Sequence, residues 1–351
     1  MPSILYSTTI TNLPLLPMAH LVKTLDVKSL INLSKTADIF KQFIQLLHIS
    51  SGGYHICIRS HRVDIYIPSR NYSQSFHHSS KFILINAVYG IHEELSDLLP
   101  GNLDYLNIDP DLVSYFDAFN QKCAVLSVGE KSYEYSEANV ECMDDCTPED
   151  LDILLDGVNF QKGLALNGPK ELRTEHYKIF NIDWLQVRNS SWITPEFLRK
   201  LKNKVIYLAD IWTLTEQNIN EFICDMRDGK INENLQVIGF GRYGGWNTVS
   251  ILQGIQVVEQ RDQVYKLPEY DPRIMTEKFL PRGFNSDGFK IKVSYDFIRN
   301  DGIKCSIQFW RSTIRIYVWN QKKEGTVMKK RWNTNDINGS PVKKHCQHSL
   351  L

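Results

Sequence analysis

Thr194-Pro195-Glu196-Phe197-Leu198-Arg199-Lys200-Leu201, running on to Ile206-Tyr207-Leu208, is the stretch that decides how this chain folds. Thr194 carries a hydroxyl able to accept from the free amides of a helix start. Pro195 stands at the first helical position, where its missing N–H is no loss, and Glu196 sets a carboxylate at the positive helix end. Phe197, Leu198 and Leu201 form an apolar stripe, and Ile206 and Leu208 share one face of a short strand. The same grammar recurs at Thr147-Pro148-Glu149-Asp150, ahead of Leu151, Leu154 and Leu155. It recurs again at Thr215-Glu216-Gln217, ahead of Ile219, Phe222 and Ile223. Apolar-x-apolar pairs at Leu106/Ile108, Leu126/Val128, Leu164/Leu166, Leu185/Val187, Ile206/Leu208 and Leu235/Val237 follow one another. Where consecutive, they are spaced by about 20 to 29 residues, the period of leucine-rich-repeat-like strand-helix arrays. The expected architecture is a run of such units whose parallel strands form one continuous sheet.

Outward from this centre the pattern changes twice. Toward the N-terminus, residues 10–48 read as a bundle of two or three short helices. Leu21, Leu25, Leu30, Leu33, Ala37, Phe40, Phe43 and Leu47 recur at helical spacing, and Asp26 is placed to cap the second helix. Residues 54–140 read as a strand-rich linker region followed by the first repeat-like units. His55-Ile56-Cys57-Ile58 and Val63-Asp64-Ile65-Tyr66-Ile67 form a hairpin, and Lys81-Phe82-Ile83-Leu84-Ile85 is a further strand candidate. Ser69 to Ser80 is polar and reads as a loop holding His77-His78. The strand-helix array occupies 141–250. Residues 251–320 read as antiparallel strands, with Asn300-Asp301-Gly302 as a hairpin turn and Ile314, Ile316 and Val318 on one face of the last strand. From 321 to 351 Lys and Arg outnumber Asp and Glu, the pattern of a basic, disordered tail. The fold class is therefore α+β or α/β, a short helical bundle followed by a strand-helix array closed by antiparallel strands.

The 351 residues include 42% hydrophobic and 23% charged side chains, ordinary for a globular chain. Forty Lys+Arg balance forty Asp+Glu, which argues against nucleic acid or an anionic membrane as a partner. No apolar run is long enough to span a bilayer and no targeting segment is evident, so a cytoplasmic or nuclear location is expected. Seven cysteines are scattered without close pairing, as expected of reduced thiols. No catalytic or metal-binding arrangement stands out, and no cofactor is expected. Gly239-Phe240-Gly241-Arg242-Tyr243-Gly244-Gly245 lacks the Lys-Ser/Thr of a phosphate loop and reads as turn glycines. The acidic residues Glu141, Asp144, Asp145, Glu149 and Asp150 lack the ligand order of a calcium loop.

All seven tryptophans lie in the second half of the chain. Most suit packing between repeats. Trp192 and Trp212 each follow a strand by a similar distance, which places them on one rim as candidates for holding a protein ligand.

Leu13-Pro14-Leu15-Leu16-Pro17, with Lys28-Ser29-Leu30-Ile31-Asn32-Leu33-Ser34-Lys35, resembles the F-box of the large nematode F-box protein family. Further blocks resemble that family's F-box-associated region. They are 149–155 with 162–166, Trp192-Ile193-Thr194, 214–223, Gly288-Phe289-Lys290-Ile291, Asp301-Gly302, and 309–319. The resemblance runs from Leu13 to Asn320, and between Pro17 and Leu30 the chain is shorter than the usual motif by nearly a helical turn. It implies a non-catalytic, substrate-recruiting subunit of a Skp-cullin-F-box ubiquitin ligase. Leu13, Pro14, Leu16, Pro17, Leu21, Leu25, Ile31 and Leu33 would engage a Skp-type adaptor and, through it, the cullin ligase. The repeats would hold a protein substrate. The alternative is an interaction module whose degenerate F-box joins no ligase.

Overall fold

The computed structural model describes residues 15–49, 51–70, 72–99, 101–109, 112–113, 122–129, 147–167, 173–268, 285 and 287–319. Leu13, Pro14 and the expected tail at 321–351 lie outside them. Three short helices come first: α1 (Leu15–Thr24), α2 (Val27–Thr36) and α3 (Asp38–Leu46). Asp26 caps α2, its carboxylate accepting from the Ser29 amide at 2.7 Å. A hairpin of β1 (Tyr54–Arg59) and β2 (Arg62–Ile67) leads to β3 (Tyr72–His77), and α4 (Lys81–Leu98) precedes β4 (Leu103–Ile108) and β5 (Lys122–Val128). The alternation then runs α5 (Pro148–Gly157), β6 (Asn159–Leu166), α6 (Tyr177–Asn181), β7 (Trp184–Val187), α7 (Pro195–Lys200) and β8 (Val205–Leu208). It continues with α8 (Glu216–Arg227), β9 (Val237–Gly241) and α9 (Thr248–Ile251). The described chain closes on β10 (Val258–Tyr265), β11 (Phe289–Ile298), β12 (Lys304–Trp310) and β13 (Thr313–Val318).

All thirteen strands belong to one sheet, ordered β10-β11-β12-β13-β9-β8-β7-β6-β5-β4-β1-β2-β3. From β1 through β4 to β9 the pairing is parallel, and at both ends the sheet is extended by antiparallel strands. Register explains the sequence pattern. Ile56, Leu106, Leu126, Leu164, Leu185, Ile206, Ile238 and Ile316 stand side by side, and Ile58, Ile108, Val128, Leu166, Val187, Leu208, Phe240 and Ile314 form the next row. Both rows are buried in one continuous core with the inner sides of the helices, including Leu30, Ile44, Leu95, Leu154, Leu198 and Phe222. The opposite face holds a second, smaller core. There Tyr105, Val125, Trp184, Val205, Val237 and Tyr317 meet Tyr265 and Ile291 from the β10–β11 hairpin. The Tyr265 hydroxyl donates to the carbonyls of Gln236 and Val318 at 2.9 and 3.2 Å, fixing that hairpin over the face.

The three helix starts form as the sequence implies. Thr147, Thr194 and Thr215 accept at their hydroxyls from the amides of Asp150, Phe197 and Asn218 at 3.1, 3.2 and 3.2 Å. The hairpin signal at Asn300-Asp301-Gly302 also holds, with Gly302 at φ +85° between β11 and β12.

Four expectations are corrected. Lys81 to Ile85 is the first turn and a half of α4, not a strand. A five-residue apolar run fits either state, but Leu84, Ile85, Val88, His92, Leu95 and Leu98 are buried at helical spacing along the whole element. Ser69 to Ser80 is not all loop, since β3 pairs with β2 over its full length and His77 ends that strand. Its serines point outward while Tyr72, Gln74 and Phe76 are half-buried, so a polar edge strand lacked the β-branched signal. The last parallel strand enters register through Ile238 and Phe240 rather than Leu235/Val237, because Val237 lies on the opposite sheet face. Gly239 and Gly241 are strand residues, not turn glycines. A Cβ on Gly239 would come within 2.8 Å of the Tyr207 ring, which lies across this position. Gly244 and Gly245, at φ +85° and +76°, do form the turn that follows.

Candidate functional site

Two surfaces present apolar or aromatic side chains outside the cores. The first is the N-terminal helical set. Val22, Val27, Leu30 and Ile44 are buried in the main core, so the bundle is part of the sheet's own hydrophobic layer. Polar contacts tie it to α4: Lys35 with Glu94 at 2.9 Å, and the Gln45 side-chain amide donating to Asp97 at 2.8 Å. Asp97 also holds the Lys41 ammonium, raising its pKa through a hydrogen bond and charge attraction. The Ser29 amide lowers the Asp26 pKa in the same way at the α2 cap.

The residues singled out on these helices divide into two groups. Leu25, Ile31 and Leu33 are half-buried against the core. Ile31, with Lys28, Asn32 and Lys35, lines a cavity of about 180 Å³ between α2, the β2–β3 hairpin and α4. Leu16, Pro17 and Leu21 face solvent, Leu16 with 76% of its surface exposed. Ile39 and Leu46 on α3 are also exposed, and periodicity missed them because neither falls on the buried stripe.

The second surface is the edge of the sheet at the C-terminal ends of β7, β8 and β9. Trp192 and Trp212 follow β7 and β8 there as expected, but their environments differ. Trp192 is half-buried, its ring edge-on to Phe197 with centroids 4.9 Å apart. Trp212 is 56% exposed and lies parallel to Tyr243, itself 75% exposed, with planes within 3° and centroids 6.3 Å apart. The structure adds Trp310, 50% exposed at the end of β12, with the Arg311 and Arg315 guanidinium groups 5.6 and 5.1 Å from its ring centroid. These strands are sequence-distant, so spacing along the chain gave no signal for Tyr243 or Trp310.

Backbone bonds hold this edge together. The Ile211 amide donates to the Gly241 carbonyl at 3.0 Å, and the Arg242 amide to the Ser312 carbonyl at 2.9 Å. The Arg242 guanidinium stacks on Trp246 at 4.0 Å, bonds the Gly245 carbonyl, and pairs with Glu216, whose pKa it lowers by hydrogen bonding. That arginine is committed to the fold.

No protein-family model, curated protein or solved structure matches this chain. The geometry has to carry the argument alone. Among the described residues no group of three His, Cys, Asp or Glu is placed to hold a metal ion. Cys123 and Cys305 are buried thiols whose pKa burial raises to about 12, the opposite of what a nucleophilic cysteine needs. No helix among the described residues is long and apolar enough to cross a membrane. What these surfaces can do chemically is bind.

Proposed function

We propose that the chain is a non-catalytic, substrate-recruiting subunit of a Skp-cullin-F-box ubiquitin ligase, its N-terminal helices engaging a Skp-type adaptor and its strand-helix array holding a protein substrate. The observation that carries this reading is the division of side chains on those helices. Leu16, Pro17 and Leu21, which the F-box resemblance assigns to adaptor contact, stay outside the core, while Leu25, Ile31 and Leu33 pack inward. Exposed leucines on a helix that already has a buried stripe suit a protein interface. The rigid sheet supports the rest of the role. It would hold a substrate at a fixed distance from the ubiquitin-charged enzyme, so the contribution to rate is positioning alone.

The test is capture of purified Skp-type adaptor by the full chain. Wild type is expected to retain the adaptor, and Leu16→Asp/Pro17→Ala to lose it with an unchanged melting temperature, because both side chains lie outside the core. Absence of capture by the wild type would leave an interaction module that joins no ligase.

A further inference from the structure

We propose that the sheet edge formed by the loops after β8 and β9 and the β12–β13 turn binds a carboxylate-rich peptide segment of the partner protein. This names the chemistry of the substrate in the ligase-subunit reading and rests on that reading for its biological role. Three observations carry it. Trp212, Tyr243 and Trp310 are exposed on loops that backbone bonds join into one edge, so the aromatic surface is preorganised and its ordering cost is already met. Two cations sit on this edge without a carboxylate. Arg315 is only 7% exposed, lies between the Trp310 and Phe289 rings at 5.1 and 6.0 Å, and forms no ion pair among the described residues. Arg311 is exposed over the other approach to Trp310 and likewise has no ion pair among the described residues. A buried guanidinium flanked by rings gains most from a partner carboxylate, because the surroundings screen little and the planar fork accepts bidentate contact.

The neighbouring charges leave this excess in place. Glu216 is occupied by Arg242, while Asp210 and Arg188 lie farther back at the ends of β8 and β7. The chain's own basic segment at 321–351 has the wrong sign for this edge. Single-stranded nucleic acid would also stack on aromatic rings, but it needs a positive groove tracking its backbone. Two uncompensated arginines in a chain of zero net charge do not make one.

The experiment selects short random peptides displayed on phage against the immobilised full chain, then titrates a fluorescein-labelled synthetic copy of the enriched sequence. Enrichment of Asp and Glu is expected, with affinity falling as salt rises. Arg311→Glu and Trp310→Ala are each expected to weaken binding by about tenfold or more without altering the melting curve. Trp212→Ala reports the far end of the same edge and is expected to weaken binding as well. Enrichment of neutral or basic peptides, no enrichment, or unchanged affinity in Arg311→Glu overturns the proposal. So does oligothymidine that binds more tightly than the selected peptide and loses affinity in Trp310→Ala. No adaptor is present in this assay, so its failure and a failure of adaptor capture are separate results.

Discussion

At the scale of single residues, Trp192 and Trp212 show what a spacing argument can and cannot resolve. Both follow a parallel strand, and both sit at the same edge of the sheet. The difference lies in the neighbouring loop, which folds Phe197 against one indole and leaves the other open beside Tyr243. Trp192→Ala is expected to cost about 2–3 kcal/mol in urea unfolding, since removing a partly buried indole leaves a void beside Phe197. Trp212→Ala is expected to stay within about 0.5 kcal/mol of wild type in the same measurement, its surface being already hydrated. Equal destabilisation by the two substitutions would contradict this division.

At the scale of elements, the helix starts were legible because their signals are local. Thr147 and Thr215 go further than a simple cap: the carboxylate of Asp150 and the amide oxygen of Asn218 accept in return from the Thr147 and Thr215 amides at 3.0 Å. Two orphan donors per helix are thus satisfied by residues three apart. Thr215→Ala is expected to destabilise the protein by about 1 kcal/mol, and Thr215→Ser to recover most of that loss, as thermal unfolding would report. Short apolar or polar runs were less legible. The helix α4 begins with a run that suits a strand, and the strand β3 is built of serine, glutamine and aromatics. In each case neighbours distant in sequence decide the state: the core row that α4 covers, and the open edge of β2 that β3 completes.

At the scale of the whole molecule, the sheet binds the N-terminal helices, the strand-helix units and the closing hairpins into one hydrophobic layer. Leu185 is fully buried at the middle of the row that begins at Ile56 and ends at Ile316. Leu185→Ala is expected to cost about 3 kcal/mol and to lower the urea midpoint without changing the slope, because the cavity opens in a core that unfolds as a unit. A second, separate transition in that variant would show instead that the repeats unfold independently.

By itself the sequence determined the alternation of helix and strand, the parallel direction of the central strands, the helix caps and the terminal hairpin. Each follows from contacts within a few residues or from a spacing that repeats. Tertiary structure decided the rest. It selected Ile238 and Phe240 as the register residues of β9, since parity depends on which sheet face the rows already occupy. It also folded the β10–β11 hairpin across the opposite face, and it brought Trp212, Tyr243, Trp310 and two arginines to one edge. Those residues lie on strands adjacent in the sheet but far apart in the chain, and no pattern along the chain encodes that adjacency.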